Sequence, residues 1–464
     1  MQNVFLLTID CLRYDYFGDL MNIIKENFTN CCVLQNLYST SSWTTPSFYS
    51  LFSASYPFED GGFLPFPPSQ LSLADIMRKN GFTTCGIHSN YYLSSIFNYD
   101  KGFDYFYDLR YQMFLEKEIL NIRSLLKKIL GKIVKLIDKL AFLLKIDALF
   151  IAIKNRQQEK ARSKGIYHFA RDASVITKKA IKFLKKHKKG KKFVWLHYMD
   201  LHYPLKNPEG SGIDLSIKEL NSINDKIRLL ISQKNETQAI PDREKEIWRQ
   251  LYAKNIKFVG NQINYLFNKI KEFKVENPII IITSDHGELL FEHGMVFHGI
   301  TLYDENIHIP CMIWKESFNQ EKTITNLCSN VDFIPTIMDL CNINHEKLPH
   351  GSSIFDKANR HRYIVAYTDS VRRLTLGNHD KLEFEKYCLR TEKWKYIIDK
   401  INRQEFLFDL TNDPREINNL IDSCNQEIKD FFNIEMKKIL EPRHDHEILK
   451  LKNATRLIST NSKL

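Results

Sequence analysis

Residues 4–9, Val4-Phe5-Leu6-Leu7-Thr8-Ile9, form an almost unbroken apolar run closed by the polar Asp10. A run without polar alternate positions reads as a strand buried on both faces of a parallel sheet. Comparable runs recur at residues 83–88, 192–197 and 278–283, the last holding Ile279-Ile280-Ile281-Ile282. Between them the apolar spacing changes to three and four, which predicts helices over 71–80, 175–186 and 247–273. This alternation predicts an α/β fold with a mostly parallel sheet and helices on both of its faces. Residues 362–367, 382–390, 394–398 and 405–409 read as short alternating segments instead, which predicts a small antiparallel sheet, followed by a helix over 416–440.

The chain has 464 residues, 43% of them hydrophobic, enough for one large core or two smaller ones, and this excludes disorder as the main state. The change of pattern divides it into a 1–345 unit and a 346–464 C-terminal subdomain, with residues 115–165 as a helical insertion in the first. The net charge of +11 admits nucleic acid, an anionic membrane or an anionic substrate as partner. That charge is unevenly spread. Residues 122–164 hold 12 Lys+Arg and 3 Asp+Glu, and residues 178–192 hold nine lysines and no acid, which leaves the remaining chain mildly acidic. No helix-turn-helix, zinc-finger or RNP-like pattern accompanies the charge, so no nucleic-acid partner is expected. In the first run Leu125, Leu126, Ile129, Ile133, Leu136, Leu140, Leu143 and Leu144 fall three or four apart, with the lysines largely off that stripe. Two readings of this amphipathic helix stand: a hairpin packed on the body with its lysines in water, or a peripheral segment lying in an anionic membrane interface. The second would bring the body to lipid-linked or envelope-precursor substrates. The lysines of 178–192 read as a solvated face.

Nine cysteines, an odd number without CxxC spacing, predict small buried thiols in a reducing compartment. The start of the chain lacks a basic n-region and a small-residue cleavage site, and the apolar stretch 140–153 is short and broken by Lys145 and Asp147. The expected location is therefore cytoplasmic.

Open α/β sheets place their ligands beyond the carboxyl ends of the strands. Asp10 follows the first strand, and Ser284-Asp285-His286-Gly287-Glu288 follows the 278–283 run. Two carboxylates and an imidazole suit a borderline divalent ion such as Zn²⁺ or Mn²⁺. Between them in sequence, Ser41-Ser42-Trp43-Thr44-Thr45-Pro46-Ser47 offers hydroxyls at the start of a helix, where a bound cation would ease deprotonation and the helix end would favour an anionic ester. Each piece alone is weak, because an Asp at a strand end is commonly a cap.

The combination resembles the sulfatase family of the alkaline phosphatase superfamily. Residues 3–13 look like its opening strand and first metal-binding Asp. The stretch from Thr44 through Pro46-Ser47 and Leu51 to Pro57 is similar to the signature Cys-x-Pro-Ser-Arg with its following Leu-Thr-Gly-x-x-Pro. His197-Tyr198-Met199-Asp200-Leu201-His202-Tyr203-Pro204 resembles the His-x-Pro substrate loop. Residues 284–288 with His293-Gly294, His298-Gly299 and Ile309-Pro310 resemble the second metal segment, and residues 331–336 and 407–414 two further landmarks.

The resemblance implies one divalent metal ion held by Asp10, Thr44, Asp285 and His286, with Thr44 as nucleophile and, as its rivals, Thr45 or a site that has lost catalysis and serves as an inactive scaffold. It implies His202 and His298 as the groups that hold the ester oxygens or protonate the leaving group, and Arg13 as a contact to Asp10 or to the ester. His293 and Glu288 read as local packing and capping. Threonine stands where sulfatases carry the residue oxidised to formylglycine, so no formylglycine is expected. A sulfated threonine would need a second attack at sulfur, whereas phosphorus tolerates one well. The resemblance thus leans toward phosphoethanolamine transferases, lipoteichoic acid synthases and phosphonate monoester hydrolases, with a true sulfatase as the alternative. Phe48 replaces the signature Arg, and Cys11 stands where many members carry a second metal-binding Asp, which favours Mn²⁺ or Zn²⁺ over Ca²⁺.

Overall fold

The computed structural model describes residues 2–59, 63–109, 170–232, 240–344, 348–356, 361–369 and 384–440. Leaving single turns aside, the first half of the chain gives β1 (Asn3–Ile9), α1 (Phe17–Ile24), β2 (Cys32–Tyr38), α2 (Thr44–Ser53), α3 (Leu73–Lys79), β3 (Phe82–His88), β4 (Tyr105–Asp108), α4 (Ala173–Lys186) and β5 (Lys191–Tyr198). There follow α5 (Ile217–Ser232), α6 (Asp242–Glu272), β6 (Pro278–Ser284), β7 (Leu289–Leu290), β8 (Val296–Phe297), β9 (Cys311–Lys315), β10 (Lys322–Ser329) and α7 (Phe333–Leu340). The last part gives β11 (Ile364–Asp369), β12 (Glu385–Arg390), β13 (Trp394–Asp399), β14 (Gln404–Asp409) and α8 (Gln426–Leu440).

Eight strands form one sheet in the order β10-β2-β9-β6-β1-β5-β3-β4, and β11-β12-β13-β14 form an antiparallel second sheet. In the large sheet β1 runs parallel to β5 on one side and to β6 on the other, while β9 is antiparallel between β6 and β2. The doubly buried strands explain the unbroken apolar runs. Phe5, Leu7, Ile9, Val194, Leu196, Ile280 and Ile282 point to the face covered by α1, α4 and α6. The alternate residues Val4, Leu6, Phe193, Trp195, Ile279 and Ile281 point to the face covered by α2, α3 and α7, and that core continues into Tyr387, Leu407 and Phe432 of the C-terminal elements.

The helix expected over 416–440 starts at Gln426 instead. Glu416 adopts a φ of 53°, and its buried carboxylate lies 2.8 Å from Lys395 Nζ and accepts from Asp304 N at 2.6 Å. Those contacts to the body outweigh helical continuation. Lys178, Lys182, Lys185 and Lys186 face water from α4, while Lys192 is buried and donates to Gly190 O at 2.8 Å. All nine cysteines are free, eight of them buried. The 115–165 insertion, its amphipathic helix and the expected division at 345–346 lie wholly or partly outside the described residues. Among the described residues no helix is long and apolar enough to cross a membrane.

Candidate active site

Strand register assembles the site. Thr8 is level with His197 and Thr283, and Ile9 with Tyr198 and Ser284, so the residues that leave β1 and β6, Asp10 and Asp285, emerge side by side. Thr44 is the first residue of α2, which arrives at the same edge with its amino end leading. Thr44 Oγ1 lies 3.4 Å from Asp10 Oδ2 and 3.3 Å from His286 Nε2. His286 Nε2 lies 3.8 Å from Asp10 Oδ1 and 3.5 Å from Asp285 Oδ2. The four residues expected to surround a metal therefore meet. Thr45 Oγ1 is buried without a hydrogen-bond partner and does not join Asp10 or His286.

The ring orientations follow from counting donors. His286 Nδ1 lies 2.8 Å from Gly287 O, a carbonyl that only accepts, so Nδ1 carries a proton and Nε2 is the ring nitrogen turned toward the carboxylates. Thr8 Oγ1 donates to Leu196 O at 3.1 Å, accepts from Trp195 Nε1 at 3.0 Å and stands 2.9 Å from His197 Nδ1. Its single proton is engaged, so His197 Nδ1 donates to it. His197 Nε2 then faces Asp10 Oδ2 at 3.1 Å, where either a proton or a cation has to lie between them.

The electrostatics are those of a cation site. Burial raises the Asp10 carboxyl, but the His197 hydrogen bond and the fields of His202 and His286 hold it well below the usual carboxylate range. Burial and the neighbouring Asp10 charge push Asp285 strongly up. Asp285 Oδ2 has no hydrogen-bond partner although Oδ1 accepts from His286 N at 2.9 Å. Two buried carboxylates, one with an oxygen that has no hydrogen-bond partner, facing imidazole nitrogens, fit a divalent cation.

The remaining expected residues divide. His298 Nδ1 lies 2.9 Å from Glu288 Oε2, and the His298 ring centre is 4.4 Å from that of His286 and 5.0 Å from that of His202, so both histidines border the site. Glu288, read as a local capping residue, instead orients His298. Arg13 pairs with Asp15 and Glu292, each at 2.7 Å, and donates to Glu288 O at 3.2 Å. Among the described residues it makes no bond to Asp10; it ties the Glu288–Glu292 turn to the end of β1. His293 packs on Tyr303 with ring centres 3.9 Å apart. Two neighbours of Asp10 went unassigned from the sequence: His197, and Asn90, whose Nδ2 donates to Asp10 Oδ2 at 3.4 Å. The available signal was position, since each follows or ends a parallel strand.

The model of the family described as Sulfatase matches residues 2–343. The chain belongs to the sulfatase family. A second model, N-sulphoglucosamine sulphohydrolase, C-terminal, matches residues 291–443. Among related proteins, the sulfatase-family chain is 31% identical over 155 residues to arylsulfatase K of Canis lupus familiaris, covering 32% of this chain and 28% of that one. It is 27% identical over 172 residues to the uncharacterized sulfatase YidJ of Escherichia coli, covering 36% and 32%. These matches span about a third of the relatives' length. The fold is similar over nearly the whole chain to a phosphonate monoester hydrolase from Silicibacter pomeroyi, with a TM-score of 0.66, 15% identity and 96% of both chains covered. It is also similar to BT4656, solved in complex with its substrate D-glucosamine-2-N,6-O-disulfate, with a TM-score of 0.65, 16% identity and 96% and 99% of the two chains covered. These likenesses show an alkaline-phosphatase-like fold.

Proposed function

We propose that this sulfatase-family chain is a metal-dependent hydrolase or transferase of phosphate-type esters with Thr44 Oγ1 as its nucleophile. The observation that carries the reading is the place of that hydroxyl, at the amino end of α2 and within 3.4 Å of Asp10 and 3.3 Å of His286. A divalent cation, Mn²⁺ or Zn²⁺ by the donor set, would be held by Asp10, Asp285, His286 and Thr44, and would supply Lewis-acid charge toward the ester oxygens and the attacking hydroxyl.

The chain's own groups do the rest. In this reading the Thr44 hydroxyl donates to Asp10 Oδ2, and the bound cation would ease the loss of its proton. The amino end of α2 would favour the anionic ester group through its helix dipole. Thr44 Oγ1 forms a bond to phosphorus as the bond to the alkoxide breaks, and His202 or His298 delivers the proton that the departing oxygen needs. Water, or a second alcohol in a transferase, then attacks phosphorus and restores the threonine hydroxyl. An oxidised threonine would be a ketone, so this route uses no formylglycine. Sulfate esters are the second reading, favoured by the sulfated substrate of BT4656. The charge of segment 122–164 supports peripheral contact with an anionic membrane, and its deletion should abolish flotation with anionic liposomes; undiminished flotation would count against that contact.

The test is a panel of phosphomonoesters, phosphodiesters, phosphonate monoesters and aryl sulfates in Mn²⁺ or Zn²⁺. Phosphate-type turnover is expected, and Thr44→Ala should lower it by about 10³-fold or more. Mass spectrometry of substrate-trapped protein should place a phosphate or phosphoalcohol adduct on Thr44. Full turnover by Thr44→Ala would overturn the assignment.

A further inference from the structure

Ile87 of β3 and Leu7 of β1 are both level with Leu196 of β5, the strand that lies between them. Three residues further along each strand path, Asn90, Asp10 and Met199 therefore share one row of the catalytic edge. Neighbouring strands lie about 4.8 Å apart, so β1 and β3 stand about 10 Å apart across β5. The Asn90 side chain closes that gap. Its Nδ2 donates to Asp10 Oδ2 at 3.4 Å and to Met199 Sδ at 3.4 Å.

The amide cannot be turned round. Tyr92 N only donates, so the Asn90 atom it meets at 2.9 Å is the carbonyl Oδ1, and Nδ2 is the end that faces Asp10. Asn90 is 5% exposed, yet its contact to Asp10 is long beside the usual about 2.9–3.0 Å, and its other proton meets only the weak acceptor sulfur. A closer anionic oxygen would give this buried donor a stronger bond. Asp10 Oδ2 also lies 3.4 Å from Thr44 Oγ1, so the amide and the hydroxyl stand no more than about 7 Å apart. That span suits one tetrahedral centre between them, with an attack distance of about 3–3.5 Å on one side and a hydrogen bond of about 3 Å to a non-bridging oxygen on the other.

We propose that Asn90 is a further catalytic residue, whose Nδ2 donates to a non-bridging oxygen of the tetrahedral ester and binds it more strongly as charge grows there during attack by Thr44. This rests on the ester chemistry proposed above and adds a neutral side-chain donor to it. An amide keeps both of its protons, so Asn90 holds the oxygen without supplying the proton that the leaving group takes from His202 or His298.

Asn90→Ser keeps a capping oxygen for Tyr92 N and withdraws the donor from Asp10. Its kcat should fall by about 10²-fold, its KM should change by less than about threefold, and its Mn²⁺ affinity, read by calorimetry, should hold. The two phosphorothioate stereoisomers of a phosphodiester probe the contact itself, because sulfur accepts a hydrogen bond poorly. The wild type should prefer one isomer and Asn90→Ser should lose most of that preference, whereas a merely structural change slows both alike. A crystal structure of the wild type with Mn²⁺ and vanadate should place Nδ2 within about 3.2 Å of a vanadate oxygen, a measurement that stands even where the variant does not fold. Lost Mn²⁺ affinity with kcat restored at saturating metal, an unchanged isomer preference, or a vanadate out of reach of Nδ2 would overturn the role of Asn90 and leave the ester chemistry standing. A wild type that turns over no ester and binds no vanadate would overturn both.

Discussion

Thr8 offers the sharpest test of how the fold orients its catalytic edge. Its hydroxyl is the common acceptor for Trp195 Nε1 and His197 Nδ1, at 3.0 Å and 2.9 Å, and both residues are 0% exposed. Thr8→Val preserves the shape and removes the oxygen, which orphans two buried N–H groups at about 1–3 kcal/mol each, a loss of about 2–6 kcal/mol. Thr8→Ser keeps the oxygen and removes one buried methyl, worth about 1 kcal/mol. Urea unfolding followed by tryptophan fluorescence, in EDTA so that metal binding adds nothing, should rank wild type above Ser and Ser above Val. Turnover should fall in the same order, because His197 loses the group that turns its Nε2 toward Asp10. Equal unfolding midpoints for Val and Ser would refute the claim that this hydroxyl holds both rings.

Three further outcomes are expected. Gly287→Ala puts a Cβ 2.0 Å from Glu305 O, so the loop carrying Asp285 and His286 must move; calorimetry should show a loss of about 1–3 kcal/mol, and bound metal should drop. Lys395→Met leaves Asp304 and Glu416 facing each other without their fully buried cation, at a cost of about 3–5 kcal/mol in denaturant unfolding, partly recovered by adding Glu416→Gln. Burial pushes the Asp200 carboxyl from 3.8 up to about 7, so the folded chain keeps a proton that the unfolded chain releases at lower pH. Its contribution is complete below about pH 4 and is lost as pH rises toward 7; Asp200→Asn should flatten that part of the stability profile.

Much of the frame could be read directly. β1, β5 and β6 are covered on both faces, so most of their positions are apolar, and such runs stand out without knowledge of the partner strands. The same logic located Asp10 and Asp285 as the polar residues that end those runs. β2, β9 and β10 were not legible, because Cys32–Tyr38 and Lys322–Ser329 mix buried with half-buried or exposed positions and Cys311–Lys315 is only 5 residues long. The start of α8 was misplaced for a related reason, since the pull on Glu416 comes from Lys395 and Asp304, not from its sequence neighbours.

Periodicity and motif spacing are local properties of the chain, so the α/β alternation, the strand ends that carry carboxylates and the threonine at the head of α2 could be read without the fold. The folded chain was needed to show that His197, 187 residues from Asp10, faces its carboxylate, that Glu288 orients His298, and that Arg13 pairs with Asp15 and Glu292 rather than with Asp10. Those choices depend on strand register and on how many protons each hydroxyl and ring can share. Such quantities exist only once distant segments have been brought within about 3 Å of one another.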